Sequence, residues 1–415
     1  MLSAGIGLVV GAPAMIALSS SATAAGASTW RASLGYPSDQ TITVVPGTNG
    51  AQQDAFVDRD GYVQWRTEHT GAWSTWTDLG NTDRAMTRTG PLTWAPGEFG
   101  STQELFAEAT DQVWVTWESG STWSDWTRVG TTGIDDFYDT GVTYAPGSAG
   151  SVQEAFALAD GHLYESAQST TGAWSAWAEV GSNVYFEEYG SHVTYAPGTN
   201  GSVQELFGWN VDDGETWVTW ESPTGSWRPW SRFGTADSYL YGPLTYGPGT
   251  NGSLQEIFGV TDTTYPGAVV VSWESPNGSW SPWAPMGYAA GENSFYDAAV
   301  TVAPGSNGSL QEIFATTIKT TLWSVWVDWE NPGGTWSGWT DMTGSSGPYF
   351  DHETAYEYWW LQVTYAPGSN GSLQELFATS DTYTGTATGD LTYVDWENPG
   401  GTWSGWVPFG AAYTG

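Results

Sequence analysis

The sequence predicts an all-β fold, a seven-bladed β-propeller with four antiparallel strands per blade, and three observations predict it. A motif of the form VTYAPGSNGSLQELF recurs seven times, with its prolines at Pro46, Pro96, Pro146, Pro197, Pro248, Pro304 and Pro367. The spacings of 50, 50, 51, 51, 56 and 63 residues suit a propeller blade better than a shorter solenoid repeat. Each copy reads as short runs of β-branched and aromatic residues punctuated by Gly, Asn and Pro, with no helical periodicity.

In chain order, residues 1–24 read as a secretory signal. Ala4–Leu18 is an apolar stretch, and Ala22, Thr23 and Ala24 fit a small-x-small cleavage site, although no Lys or Arg precedes Arg31. Secretion is therefore expected, with the mature chain starting near Ala25. Residues 25–40 contain a worn copy of a fourth strand, Ser28–Gly35, which would help to close the ring. Residues 41–415 then form one propeller, its repeats starting near 41, 91, 142, 193, 244, 300 and 363. Tandem independent domains are disfavoured, because a single sheet of about 50 residues cannot bury both of its faces.

Within a repeat, strand A is typified by Val363–Pro367. An Asn-Gly turn follows, suited to a reversal with positive φ. Strand B is Leu373–Ala378 in the last copy, and strand C is typified by Val113–Glu118, Thr216–Glu221 and Val325–Glu330. Strand D carries two tryptophans three apart, as in NPGGTWSGW at Asn331–Trp339 and Asn398–Trp406. On a regular strand that spacing points them to opposite faces, so Trp336 and Trp339 are expected at two different blade junctions. The NPGGTW turn resembles the Asp-box turn of sialidase-type propellers, with Asn331 or Asn398 in the polar place. The NGS sequences at Asn200, Asn251, Asn277, Asn307 and Asn370 match a glycosylation acceptor, but their recurrence in hairpins favours turn chemistry.

Composition removes several classes of function. The net charge of −36 comes from a shortage of bases, only 9 Lys and Arg against 45 Asp and Glu. No electrostatic footprint for nucleic acid or anionic lipid is present. There are no cysteines, and no later segment is long enough to be inserted in a bilayer. The four histidines, His69, His162, His192 and His352, lack metal-ligand spacing, so no metal or other cofactor is expected.

Two loop sets occupy opposite faces of such a disc. The A–B and C–D turns are short and uniform, whereas the B–C loops and D–A crossovers vary, and variable loops on a rigid scaffold carry specificity. Five crossovers combine aromatics with acids, which suits sugar stacking and hydroxyl recognition. They supply the candidate sugar contacts Tyr138 and Asp139, Phe186 and Glu187, Tyr241, Tyr296 and Asp297, and Phe350 and Asp351. The competing reading is that these side chains plug blade junctions. The second tryptophan of each strand D is a further candidate, because strand D runs toward that same face: Trp76, Trp126, Trp177, Trp230, Trp283, Trp339 and Trp406.

Strand B repeats an acid after Gln in every copy: Asp54, Glu104, Glu154, Glu205, Glu256, Glu312 and Glu375. Catalytic carboxylate pairs need two acids in distinct environments, so seven equivalent ones suggest a scaffold role, accepting Trp N–H or backbone donors. Glu118, Glu165, Glu221, Glu274, Glu330 and Glu397 recur similarly in strand C. Arg84, Arg88 and Arg128 cluster in the early blades and do not form an axial set.

The unit GSLQELFA…VWVDWENPGGTWSGWTDM resembles the repeat of the PLL-like seven-bladed β-propeller lectins and, more distantly, the tectonin-like and tachylectin-like propellers. The shared elements are E-[LIV]-F-A in strand B, Trp in strand C and G-x-W-S-x-W in strand D, over roughly Thr41 to Gly410. The resemblance implies non-catalytic carbohydrate binding at several equivalent sites on or between blades. Blade 3 departs from it, with His162–Ser169 lacking a strand C Trp, and blades 6 and 7 carry insertions. The expectation is a secreted, multivalent glycan-binding protein. The alternatives are a polysaccharide hydrolase or lyase with an axial pocket, using an acid such as Asp351 or Glu353, and an adhesion propeller for protein partners. Oligomeric state is left open.

Overall fold

The computed structural model describes residues 42–409 apart from 60–61, 80–90, 110–111, 132–133, 135–136, 138–139, 187–190, 211–213, 235–239, 241, 262–266, 288–294, 296–299, 320–321, 344–349, 352–360 and 381–390. The leader and the Ser28–Gly35 copy lie outside these residues. The described chain is all-β and forms seven antiparallel sheets, each built from one repeat with its strands side by side in sequence order. Blade 5 is typical, with strand A at Thr245–Pro248, B at Gln255–Val260, C at Val269–Glu274 and a short D at Ala284–Pro285. Blade 7 has its own strand D, Thr402–Trp403 and Val407–Pro408, both paired to strand C at Leu391–Asn398.

The A–B hairpins form because Asn and Gly together supply two positive φ values. Asn251 has φ 47° and Gly252 has φ 98°, and Asn49, Asn200, Asn307 and Asn370 repeat the pattern. Phe99 and Ala149 adopt the same left-handed conformation in blades 2 and 3.

Two rings of hydrogen bonds close the disc. The strand A threonine of each blade donates to a carbonyl at or just before the start of the next blade's strand A, as Thr143 to Val193, Thr194 to Leu244 and Thr245 to Val300 at 2.6–2.7 Å. The circle is completed by Thr364 donating to the Ile42 carbonyl at 2.9 Å. Outside it, the strand B glutamine of one blade donates to the strand B acid of the preceding blade. Examples are Gln255 to Glu205 at 2.7 Å and Gln311 to Glu256 at 2.6 Å. At the closing junction Gln53 donates instead to the Pro367 carbonyl at 2.6 Å.

Seven apolar clusters fill the seven junctions, each drawing residues from two neighbouring blades. At the heart of each is the strand B phenylalanine, fully buried at Phe56, Phe106, Phe156, Phe207, Phe258, Phe314 and Phe377. The first tryptophan of the next blade's strand D meets it edge-on, with centroids 5.2 Å apart for Phe207–Trp280 and 6.3 Å for Phe377–Trp73. Edge-to-face geometry of this kind contributes about 0.5–1.5 kcal/mol beyond area burial.

The expectation that paired tryptophans serve two junctions is corrected. Trp336 and Trp339 belong to one cluster, between blades 5 and 6, and Trp403 and Trp406 to the next. The cause is a bulge. Val327 pairs with Thr340 and Glu330 with Trp336, so two residues of strand C face three of strand D. The extra residue reverses the alternation and brings both indoles to the same face.

Candidate functional site

The sugar contacts expected on strand D are mostly buried. Trp126, Trp230, Trp283, Trp339 and Trp406 lie in the core, and Trp76 and Trp177 are only partly exposed. Trp126, Trp177 and Trp230 donate their indole N–H to carbonyls of the preceding blade, at Leu79, Val129 and Val180, over 3.1–3.2 Å. This row of indoles fixes blade to blade, so it is not available as a stacking surface.

Three of the described crossover aromatics, Phe137, Phe186 and Phe295, follow the plugging reading, whereas Tyr185 is 57% exposed. Phe186 is completely buried, 5.1 Å from the Trp230 ring, and Phe137 and Phe295 take the same place against Trp177 and Trp339. Phe186 is thus a core residue and not a ligand contact. Phe350–Asp351 extends the edge of strand C by pairing with Leu322 and Trp323, but its side chains lie outside the described residues. Tyr138, Asp139, Glu187, Tyr241, Tyr296, Asp297 and Glu353 also lie outside them.

Two described cavities occupy the opposite face, where the A–B and C–D turns meet across a junction. One, of about 320 Å³, lies between blades 5 and 6; the other, of about 440 Å³, lies between blades 7 and 1. Both fall in the size range of small-molecule sites. The first is walled by Trp273 from blade 5 and Trp336 from blade 6, with Val271 below and Asn251 and Pro276 at the rim. The second repeats the plan with Trp396, Trp73, Val394 and Asn370.

Trp273 is 39% exposed, and its counterparts Trp117 and Trp220 are 36% exposed. Sequence reasoning placed these strand C tryptophans in the fold but not among the candidate contacts. A signal was present in the W-E pair that ends strand C. Strand alternation turns the Glu to one junction and the Trp to the other, next to a turn too short to cover an indole.

The polar groups of these grooves are fixed. Asn251 donates to Glu330 at 2.6 Å and accepts from the Gly333 amide at 3.1 Å, tying the A–B turn of blade 5 to the C–D turn of blade 6. Asn307 does the same with Glu397 and Gly400. These amides are structural cross-links, as turn chemistry at those positions predicts. Asn331 and Asn398 each donate to the carbonyl four residues on at 3.0 Å, pinning the NPGG turns.

The strand B acids act as scaffold. Glu256 accepts from the Thr250 amide, the Ser253 hydroxyl and Gln311 of blade 6. Desolvation pushes Glu104, Glu205 and Glu256 above the ordinary carboxylate range and raises Asp54 to about 6. Their donors are backbone amides, hydroxyls and glutamines rather than tryptophans. The one strand C departure is Glu165, which stands at an apolar position and accepts the Trp227 N–H at 2.7 Å. Burial, reinforced by Glu154, raises its carboxyl to about 7. Gln168 is the true counterpart of Glu118, because it occupies the same place beside the strand B glutamine.

No protein-family profile and no curated protein matches the chain. Among solved structures, it is similar to an Agrocybe aegerita lectin that recognises non-reducing terminal N-acetylglucosamine. The identity is 12%, over 74% of this chain and 80% of that one, with a TM-score of 0.51. The fucose-specific lectin of Aleuria aurantia matches at 16% identity over 76% of this chain and all of that one, TM-score 0.43. Prolyl oligopeptidase B from Galerina marginata matches at 9% identity over 93% and 52%, TM-score 0.48. At 12% identity the likeness to the Agrocybe structure speaks to the fold alone, and the class, a β-propeller, is defined by the seven four-stranded blades themselves. The function has to be argued from the grooves.

Proposed function

We propose that this protein is a secreted, non-catalytic lectin that binds glycans in the grooves between blades on the turn face. The observation that carries the reading is the pair of cavities at equivalent junctions, each walled by a strand C and a strand D tryptophan. Two indoles flanking a small cleft suit the apolar face of a pyranose, while the amides and hydroxyls at the rim suit its hydroxyls. Single sites of this size are weak, and repetition on one disc raises avidity without new contacts. The PLL-like character of the repeat and the lectins among the structural neighbours support the reading.

The test is a glycan array probed at high protein density, alongside Trp273→Ala and Trp396→Ala variants. Binding to neutral glycans that falls several-fold in each variant, with melting temperature little changed, is the expected outcome. Absence of binding to every neutral glycan would sink the proposal.

A further inference from the structure

The seven junctions are not alike, and their differences are ordered around the disc. From blade 4 onward the same set recurs at each junction. A strand C tryptophan forms the wall: Trp220, Trp273, Trp329 and Trp396. The residue two before it is a valine, as at Val271 and Val394 in the described cavities. The turn asparagine meets a strand C glutamate of the next blade: Asn200 with Glu274, Asn251 with Glu330, Asn307 with Glu397 and Asn370 with Glu68. In the same four blades the residue two before the strand B acid is an exposed aliphatic, Val203, Leu254, Leu310 or Leu373.

The other three junctions break the set in different ways. Between blades 1 and 2, Thr67 replaces the wall and Trp65 replaces the valine, its ring 5.9 Å from Trp123. An indole stands where the other grooves have their floor. Between blades 3 and 4, Ala167 replaces the wall, Ala149 the turn asparagine, and Glu165 puts a carboxyl on the floor against Trp227. Between blades 2 and 3 the wall survives as Trp117, but Phe99 and Gln168 replace the amide and carboxylate, and the Phe99 ring lies over Gly172.

We infer that glycan binding resides in four consecutive grooves, at junctions 4–5, 5–6, 6–7 and 7–1, and that their ligands are uncharged. The inference rests on the carbohydrate reading above and adds to it the number, position and charge class of the sites. The charge argument is local as well as global. Both described grooves are backed by two glutamates, Glu256 with Glu330 and Glu68 with Glu375, and neither has a Lys or Arg in its lining. A sialic or uronic acid would meet unscreened like charge with no cation to pair with.

The experiment is an equilibrium titration of the intact protein with methyl glycosides of fucose, N-acetylglucosamine, galactose and mannose, with N-acetylneuraminic acid as the charged control. The expected result is four sites per chain for at least one neutral sugar and none for the acid. Trp220→Ala, Trp273→Ala, Trp329→Ala and Trp396→Ala should each remove one site, and Trp117→Ala none. If a variant fails to fold, sugar density in crystals of the unaltered protein soaked with the same sugars locates the sites instead. Neutral-sugar binding that survives all four substitutions, density at junctions 1–2 or 3–4, or equal binding of the acid overturns the four-groove assignment while leaving a lectin. Failure of every neutral sugar here and on the array overturns both.

Discussion

At Gly130, Gly181 and Gly234, which end strand D in blades 2, 3 and 4, the absence of a methyl group lets the next blade dock. A Cβ at Gly234 would lie 2.2 Å from the Trp283 indole nitrogen, and φ there is +77°. Gly234→Ala therefore combines a left-handed backbone penalty with a clash against a buried ring. A loss of about 2–4 kcal/mol in denaturant unfolding is expected; a change under 0.5 kcal/mol would show that the ring is free to move. The strand D bulge shows a second residue-scale choice. In blades 2 and 5 a hydroxyl, Thr116 or Ser272, donates to the carbonyl of the serine between the tryptophans at 2.8 Å. In blade 6 Asp328 instead accepts from the Ser337 hydroxyl at 2.7 Å and the Gly338 amide at 2.9 Å. Turning that N–H inward requires the peptide to flip, and Gly338 accommodates it with φ +93°. Aspartate and glycine therefore occur together at Asp395 and Gly405 as well.

The tryptophan pair is the element-scale device. A bulged strand D presents two indoles to one neighbour, and the first meets that neighbour's buried phenylalanine edge-on. Because Trp336 and Trp339 share one cluster, their truncations should not add. A double-mutant cycle with Trp336→Phe and Trp339→Phe is expected to give a coupling of about 0.5–2 kcal/mol. Strict additivity would return them to separate junctions. The repeat, the four strands and the turns were legible in the sequence, because Asn-Gly pairs and β-branched runs act locally. The bulge was not, since nothing in W-S-G-W distinguishes three residues facing two from three facing three. That one residue decided which tryptophans were core and which remained open, and so moved the candidate site from Trp339 to Trp273.

At the scale of the whole molecule the disc is bound together by buried polar belts, and these set its response to pH. Desolvation lifts Asp54 from 3.8 to about 6 and Glu165 from 4.5 to about 7. Glu68, Glu104, Glu205, Glu221 and Glu256 also lie above their usual values, chiefly for the same reason. Groups raised in the folded state hold protons that the unfolded chain has released, so their contribution is full below about pH 4 and is lost as pH rises through 6 and 7. His192 opposes them. Burial lowers it from 6.5 to about 4, and stability from this source falls as pH drops through that window. One histidine faces several carboxyls, so net stability should decline between about pH 5 and 7, by a few kcal/mol. Urea midpoints across that range measure it, and Asp54→Asn with Glu165→Gln should flatten the slope; a midpoint that rises toward pH 7 contradicts the assignment. Closure of the ring has its own arrangement. Arg66 of blade 1, held down to about 10 by burial, lies 3.8 Å from the Phe409 ring of blade 7 and 4.6 Å from Trp76.

By itself the sequence determined the period, the seven blades, the four-stranded plan and the scaffold role of the repeated acids, since each is a local pattern stated seven times. Only the tertiary structure decided which side of each strand faces which neighbour. A tryptophan is core or platform according to how a bulge sets its parity and whether the next blade covers it. Trp339 is covered and Trp273 is not, although both are indoles on outer strands of a Trp-rich repeat. Burial is a relation between blades, and the contact that confers it lies about fifty residues away along the chain.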